Sequence, residues 1–443
     1  MRLGVISLGC PKNLVDSEVI LGLLKENQYE ITNDLTQAEI VIVNTCGFIE
    51  SAKQESIDNI LEIAQYKKNG SLKYLIVSGC LAQRYSEELL ESLPEVDGII
   101  GTDCLTDIAK FLKRIIAGER FIELKKTDVY DRVFPRVLTT PKHYAYLKIA
   151  EGCNNRCSYC VIPKIRGPYV SKPFEVIIDE AKELAKTGIK ELILVAQDTT
   201  LYGFDLYGKL RLPELLRELH KIDGIKWLRL MYMYPNSFTD ELIDCYVNLP
   251  KLVKYVDIPL QHASDRLLKE MQRNDSKAEV SALIHKLRDK VPGIVIRTTF
   301  IVGFPGETDA DFQELCAFVK EHKFENAGVF KYSQEEGTVA GERTDQIPEE
   351  VKEQRYDELM AIQAKISEQL HKATQGKVYD VVVEGYDPDE QNLAYGRSYR
   401  EAPDIDGSVF IENAKDIAIG EMVKVKISQG FTYEAVGELT ENE

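Results

Sequence analysis

The sequence lacks the features that would place the protein in a membrane or outside the cell. No apolar run approaches the roughly 18 residues that a membrane-spanning helix needs. The first ten residues carry one early charge and a short apolar stretch before Pro11, which predicts a first strand and not a signal peptide. Low-complexity tracts and internal repeats are also absent. We therefore expect a globular, cytoplasmic protein.

The sequence is also poor in positively charged residues. The 443 residues include 55 Lys and Arg against 72 Asp and Glu, a formal net charge of −17. Phosphate binding requires a basic surface, so the chain is a poor general nucleic-acid binder and better suits a basic partner. The length predicts two or three domains.

Alternating strand and helix patterns predict an α/β protein with a small β module at its end. Residues 1–125 predict an open, mostly parallel α/β sheet, and residues 125–143 suit a linker. Residues 140–370 hold six apolar runs, each followed by a helical pattern. This (βα)₆ layout is either an open sheet or a partial TIM-like barrel. Residues 374–443 change to a period of two, which predicts a small β-barrel.

Three cysteines, here called the loop cysteines, follow the first strand of the middle domain: Cys153, Cys157 and Cys160. They converge on one centre only if their segment is a loop, and ligand sites of α/β sheets occur at that end of a strand. Structural zinc prefers four protein ligands, and no His or fourth Cys lies nearby. Three thiolates on a four-iron cluster leave one iron open for a chelating substrate group. A zinc loop or three buried thiols are the alternatives.

A second set, here called the strand-end cysteines, is dispersed: Cys10, Cys46 and Cys80. Each ends a predicted strand. Parallel neighbouring strands bring their carboxyl ends together, so the three could meet at one sheet edge. The helix N-termini that follow would stabilise thiolates there. Three unrelated buried thiols are the alternative.

The loop-cysteine spacing resembles the radical S-adenosylmethionine superfamily, and both sets in this order resemble the methylthiotransferase family. The resemblance covers essentially the whole chain. Matching phrases occupy residues 7–18, 151–160, 166–171, 256–261 and 297–307. Lys172 departs from the pattern, because many relatives are expected to have Arg there, so any role of that position is in doubt.

The family resemblance implies two [4Fe–4S] clusters and S-adenosylmethionine as cofactors. The loop cysteines would hold the cluster that generates a 5′-deoxyadenosyl radical, and they are the expected catalytic residues. The strand-end cysteines would hold an auxiliary cluster with the sulfur that is inserted. The implied domains are an N-terminal methylthiotransferase domain, a radical S-adenosylmethionine domain and a C-terminal TRAM barrel.

Four further residues are expected to bind S-adenosylmethionine: Tyr159, Gln197, Gln261 and Arg297. In the superfamily, the position of Tyr159 often contacts the adenine. The other three lie in or at the ends of predicted strands, where they could reach polar groups of the cofactor at the barrel mouth. Loop packing and helix capping are the alternatives.

The sequence from Cys10 to Asn13 resembles the family branch that methylthiolates the β-carbon of an aspartate in ribosomal protein S-twelve. The sibling branch modifies a tRNA adenosine. Residues 376–443 hold six Lys and Arg against fifteen Asp and Glu, a net charge of −9. This acidity favours a basic ribosomal protein over direct tRNA binding, although it could also serve solubility alone.

The expected partners are that ribosomal protein, an electron donor such as flavodoxin or ferredoxin, and a sulfur donor, with no membrane. Three rival functions stay open. The first is a tRNA adenosine methylthiotransferase. The second is a non-catalytic iron–sulfur protein for electron transfer or regulation, which would form no 5′-deoxyadenosine. The third is a zinc-binding interaction module.

Overall fold

The computed structural model describes residues 1–124, 131–390 and 392–440. Part of the predicted linker, residues 125–130, and the end of the predicted third domain, residues 441–443, lie outside the described residues. No helix in the described ranges combines the length and the apolar character that a membrane crossing requires.

The first sheet has six parallel strands in the spatial order β2-β1-β3-β4-β5-β6. Its strands are β1 (Arg2–Ser7), β2 (Glu30–Ile31), β3 (Ile40–Thr45), β4 (Tyr74–Gly79), β5 (Gly98–Ile100) and β6 (Phe121–Glu123). Its helices are α1 (Pro11–Glu26), α2 (Glu50–Asn69), α3 (Cys80–Arg84), α4 (Ser86–Ser92) and α5 (Ile108–Ile116), with 3₁₀ turns at Leu35–Gln37 and Leu105–Asp107. The prediction of an open parallel α/β sheet is confirmed.

Strand β3 shows why both faces of this sheet are covered. Ile40 and Ile42 belong to one apolar cluster, whereas Val41 and Val43 belong to another on the opposite face. Successive side chains of a strand point to opposite faces, so a continuous apolar run is buried twice. Helices pack on both faces as a result.

The middle of the chain forms a partial barrel of six parallel strands, which are hydrogen-bonded as two sheets of three strands each. Its strands are β7 (Tyr144–Lys148), β10 (Glu191–Val195), β11 (Trp227–Leu230), β12 (Tyr255–Asp257), β13 (Val295–Val302) and β14 (Asn326–Lys331). A parallel bridge between Leu228 and Leu252 joins its two halves. The short strands β8 (Ala150–Glu151) and β9 (Val170–Ser171) pair antiparallel beside it.

Inward-facing residues of five of these strands meet in one apolar cluster, so the two sheets enclose a common interior. These residues are Tyr144, Tyr146, Ile193, Val195, Trp227, Tyr255 and Val295. This arrangement confirms the partial barrel. The helices outside it are α6 (Ile162–Arg166), α7 (Phe174–Lys186), α8 (Phe204–Tyr207), α9 (Leu212–His220), α10 (Asp240–Asn248), α11 (Asp265–Glu270), α12 (Lys277–Lys290), α13 (Asp309–His322) and α14 (Glu349–Lys372), with a 3₁₀ turn at Pro235–Ser237.

The last strands close a small barrel in the order β15-β16-β17-β19-β18. They are β15 (Val378–Tyr386), β16 (Ala394–Arg397), β17 (Val409–Glu412), β18 (Met422–Gly430) and β19 (Ala435–Leu439). The predicted barrel is confirmed.

The connection between β16 and β17, residues 398–408, fills the amino-terminal end of the partial barrel. Asp406 accepts a hydrogen bond from the Tyr255 hydroxyl at 2.5 Å, and Asp404 accepts one from Tyr144 at 3.3 Å. Tyr144 and Tyr255 are the first residues of β7 and β12. The C-terminal barrel is thus fixed to the end of the partial barrel opposite the loop cysteines.

A buried carboxylate, Glu191, joins the same two domains. It pairs with Arg229 at 2.6 Å and with Arg397 of the C-terminal barrel at 2.9 Å. Burial alone would raise the pKa of Glu191, but the charges of Arg229 and Arg397 outweigh burial and lower that pKa below its usual value. Glu191 therefore stabilises the folded protein above its unfolded pKa of about 4.3, and this stabilisation is lost as pH falls through the folded value.

We expect the thermal unfolding midpoint to decline below about pH 4.5, and to decline less steeply in Glu191→Gln, because the amide has no proton to take up. The exposed Glu183→Gln on α7 is the matched control and should follow the parent curve. Midpoints measured by calorimetry from pH 6 to pH 3 test this. Equal slopes for the parent and Glu191→Gln would contradict the assignment.

Candidate active site between two sets of cysteines

The loop cysteines lie between β8 and α6, on a segment fixed by backbone hydrogen bonds. The Cys153 N–H donates to the Gly167 carbonyl at 3.1 Å, and the Cys160 N–H donates to the Cys157 carbonyl at 3.1 Å. The loop is also tied to the outer part of the barrel, because the Ser158 N–H donates to the Met271 carbonyl at 2.9 Å. This shape holds the three thiols on one side of the loop.

The loop thiols are largely withdrawn from water. Burial raises the pKa of Cys153 to about 11 and raises that of Cys160 still further, and the neighbouring Cys157 thiol adds to both shifts. Thiols with such pKa values stay protonated at neutral pH, and metal binding must deprotonate them. Without a bound metal group, Cys153 and Cys160 are therefore weak nucleophiles.

The strand-end cysteines lie together at the carboxyl edge of the first sheet. Cys10 caps α1, Cys46 directly follows β3, and Cys80 opens α3. Burial raises the pKa of Cys46 to about 12, and both Cys80 and Cys10 are close enough to raise it further. The sequence spacing of 36 and 34 residues is thus bridged by the parallel strand order β1-β3-β4.

Gly9 allows Cys10 and Cys46 to lie close to each other. Its φ is +85°, and a Cβ at this position would lie 2.7 Å from the Cys46 Cβ and 2.9 Å from its Sγ. We expect Gly9→Ala to displace Cys10 from Cys46 and to lower the iron that the reconstituted protein retains by up to half.

The control is Gly118→Ala, since Gly118 has a φ of +95° but nothing within 4 Å of the added Cβ. It incurs the same backbone strain without the contact. Iron and sulfide analysis of both variants separates the two effects. If Gly118→Ala loses as much iron as Gly9→Ala, backbone strain alone is responsible.

An iron–sulfur cluster fits the chemistry of the loop cysteines better than a single zinc ion does. Across the residues that the structure describes, no three His, Cys, Asp or Glu side chains converge on one metal ion. A cubane cluster binds each cysteine through a different iron, so its three thiols stand farther apart than the ligands of one ion. The loop set in particular, with three cysteines and no fourth ligand among the described residues, matches a cluster in which one iron is left open.

A buried ionic network, which we call the bridging network, lies between the two sets of cysteines. Arg166, at the end of α6, pairs with Asp16 of α1 at 2.9 Å and with Glu151 of β8 at 3.0 Å. Lys148 of β7 binds the same two carboxylates, at 2.7 Å to Glu151. Arg166 also donates to the Asn13 side chain at 3.0 Å. The network therefore joins the first sheet to the partial barrel.

Arg166 also acts on the strand-end cysteines. Burial raises the pKa of Cys80, and the nearby positive charge of Arg166 opposes that rise. The same charge opposes the rise at Cys46. A cation beside three thiols favours their deprotonated, metal-binding form. The sequence predicted no role for Arg166, although it opens the matching phrase at residues 166–171.

The four residues expected to bind S-adenosylmethionine have different surroundings. Gln197 joins the bridging network, donating to Glu151 at 2.7 Å. Arg297 pairs with Asp257 at 2.9 Å and lies 3.4 Å from Asp406. Cofactor binding by these two residues stays a prediction.

The other two residues have their own contacts. Gln261 has a φ of +71° and binds β13 through its backbone, accepting a bond from the Ile301 N–H at 2.7 Å. Tyr159 packs against an apolar cluster that includes Met271 and Phe304. Their contacts with the cofactor also stay predictions. Lys172, the departure from the family pattern, binds Glu180 at 2.6 Å.

Comparison with known proteins defines the class. Residues 2–101 match the model described as Uncharacterized protein family UPF0004, residues 147–319 match the Radical SAM superfamily, and residues 376–440 match the TRAM domain. The solved radical S-adenosylmethionine methyltransferase TsrM from Kitasatospora setae shares the fold with a TM-score of 0.59 at 16% identity, over 77% of this chain and 76% of that one. The chain is a radical S-adenosylmethionine enzyme, and an iron–sulfur cluster and S-adenosylmethionine are its cofactors.

Relatives of higher sequence identity show which family of radical S-adenosylmethionine enzymes the chain belongs to. The "Ribosomal protein uS12 methylthiotransferase RimO" of Desulforamulus reducens is 51% identical over 441 residues, which is 99% of each chain. The relative of the same name from Clostridioides difficile is 49% identical over 440 residues, again 99% of each chain. The chain belongs to the family of ribosomal protein uS12 methylthiotransferases.

Proposed function

We propose that the protein transfers a methylthio group to the β-carbon of an aspartate in ribosomal protein uS12. The observation that supports this proposal is the proximity of the two sets of cysteines: Cys80 packs against Val161, the residue after Cys160, and Arg166 at the end of the following helix α6 acts on Cys80. A reaction that replaces an unactivated C–H bond with a C–S bond needs both a radical source and a sulfur source close to the same carbon. Relatives of full length that are named uS12 methylthiotransferases support the same assignment.

Two [4Fe–4S] clusters are part of the proposal. The loop cysteines would hold one, whose open iron binds S-adenosylmethionine, and the strand-end cysteines would hold the other. When bound, these groups supply the radical, the methyl group and the sulfur. The residues of the chain position both groups: Arg166 neutralises negative charge at the strand-end set, and Asp16 and Glu151 fix Arg166 in place.

The surface of the C-terminal barrel supports a basic protein as substrate. Four of its acidic residues are engaged internally, namely Glu384, Glu401, Asp404 and Asp406. Among its described residues, eight other Asp and Glu side chains are exposed, against four exposed lysines. Exposed negative charge attracts the basic surface of a ribosomal protein and repels tRNA phosphates. An electron donor such as flavodoxin or ferredoxin, a separate sulfur donor and a cytoplasmic location complete the proposal.

The test uses the full chain, reconstituted anaerobically with iron and sulfide. It is incubated with S-adenosylmethionine, a reductant and either uS12 or tRNA. We expect 5′-deoxyadenosine and a methylthio mass increase on one aspartate of uS12, with unmodified tRNA. Formation of 5′-deoxyadenosine together with modified tRNA and unmodified uS12 would refute the choice of substrate.

A further inference from the structure

Lys12 is a buried cation beside the strand-end cysteines. It lies in the first turn of α1, two residues after Cys10, and is only 7% exposed. Its ammonium nitrogen stands 3.3 Å from the centroid of the Tyr232 ring. Among the described residues, no carboxylate forms an ion pair with Lys12 and no side chain or backbone group hydrogen-bonds its ammonium. A buried lysine without a carboxylate partner is unusual, because burying an unpaired charge is costly.

The carboxylates nearest to Lys12 are engaged by other cations. Glu151 and Asp257 both act on Lys12 electrostatically. Glu151, however, binds Lys148, Arg166 and Gln197. Asp257 binds Arg297 at 2.9 Å and accepts the Tyr232 N–H at 2.8 Å. Within the part of the chain that the structure describes, Lys12 thus has negative charge nearby but no carboxylate in contact.

The segment that holds the Tyr232 ring is strained. Tyr232 has a φ of +59°, which is rare for a bulky residue. Asp257 binds its N–H, and the Thr199 N–H donates to its carbonyl at 3.0 Å. Strain that surrounding contacts maintain is concentrated at functional sites. In addition, the first turn of α1 contains no acidic residue, so the positive end of the helix dipole reinforces Lys12.

We propose that Lys12 binds the carboxylate of the target aspartate and thereby selects an acidic side chain for modification. This inference rests on the proposed function. The carboxyl group of aspartate is bonded directly to the β-carbon, so a cation that holds it fixes the reacting carbon within two bonds. Lys12 stands next to the strand-end cysteines and faces Tyr232 of the partial barrel, where that carbon must lie. The Tyr232 ring holds the ammonium in place while leaving its N–H donors to the substrate.

The test compares two substrates with two enzymes. The substrates are uS12 and uS12 in which the target aspartate is replaced by Asn, and the enzymes are the reconstituted parent chain and Lys12→Met. We expect the parent to bind the Asp form roughly tenfold or more tightly than the Asn form, as a charge-assisted hydrogen bond provides. Lys12→Met should bind both forms equally. Its kcat/KM on uS12 should fall roughly ten- to hundredfold, with unchanged iron content and unchanged 5′-deoxyadenosine formation in the absence of uS12.

Two controls complete the design. Lys25→Met, at the exposed end of the same helix, should match the parent in every measurement. Lys12→Arg keeps the charge and should retain the preference for the Asp form. Equal discrimination by the parent and Lys12→Met would overturn the inference, as would a loss of iron in Lys12→Met, since Lys12 would then serve the cysteine site. If the parent fails to modify uS12 while producing 5′-deoxyadenosine, the proposed function itself fails.

Discussion

A chain in which Cys153, Cys157 and Cys160 are all replaced by Ala is expected to retain about four irons after reconstitution, against about eight in the parent. It should form no detectable 5′-deoxyadenosine and no methylthio product. The reason is that the loop cysteines and the strand-end cysteines lie on different segments, one between β8 and α6 and the other at the edge of the first sheet. Removing one set leaves the other in place.

The chain provides a matched control for this experiment. Cys104, Cys245 and Cys316 are also buried, but they pack in apolar cores, Cys104 in that of the first sheet and the other two in that of the partial barrel. Their triple replacement by Ala should keep about eight irons and the full activity. Iron and sulfide analysis with quantification of 5′-deoxyadenosine measures each variant. A parent chain with only about four irons would refute the second cluster.

Arg166→Gln is expected to have the largest effect on stability, lowering the free energy of unfolding by about 3–5 kcal/mol. Arg166 is buried and pairs with two carboxylates, Asp16 and Glu151, which are themselves buried. Burial would raise the pKa of Glu151, but the charges of Arg166 and Lys148 lower it. Without Arg166, Lys148 alone faces two buried negative charges, and one of them is left uncompensated.

The matched control is Lys164→Gln, which removes an exposed positive charge from the same helix and should change stability by less than about 0.5 kcal/mol. Denaturant unfolding of the two variants measures the difference. A loss below about 1 kcal/mol in Arg166→Gln would mean that the bridging network does not hold the two domains together. Arg166→Gln should also retain less iron than Lys164→Gln, because the cation beside Cys80 is gone.

The loop cysteines could be predicted because their signal is local. Three ligands within eight residues, after a buried strand, restrict the chemistry before any tertiary structure is known. The (βα)₆ layout was predictable for a similar reason, since parallel strands buried on both faces form continuous apolar runs. The short strands β2, β5 and β6 could not be found in this way, because two or three residues show no period.

The bridging network could not be predicted from the sequence. Asp16 and Arg166 are 150 residues apart, and each resembles an ordinary charged residue in a helical pattern. Their pairing depends on how α1 packs against the partial barrel, which no local pattern encodes. The same holds for Lys12, which is notable because it forms no ion pair with any residue in the described ranges.

The negative charge of the C-terminal barrel could be interpreted only with the structure. The net charge of −9 in residues 376–443 includes Glu384 and Asp406, which bind arginines and a tyrosine of their own chain. Those two carboxylates attach the C-terminal barrel and cannot attract a partner. The exposed acidic residues still outnumber the exposed lysines. The preference for a basic substrate is therefore retained, although the exposed negative charge is smaller than the net charge of the sequence suggests.

The choice between protein and tRNA is decided by mass spectrometry of both molecules from one pair of strains. One strain lacks the gene for this chain, and the other carries it on a plasmid. The proposed function predicts that the methylthio group on the uS12 aspartate is absent from the first strain and restored in the second, while tRNA nucleosides are identical. Loss and recovery of a methylthio nucleoside, with uS12 unchanged, would contradict it.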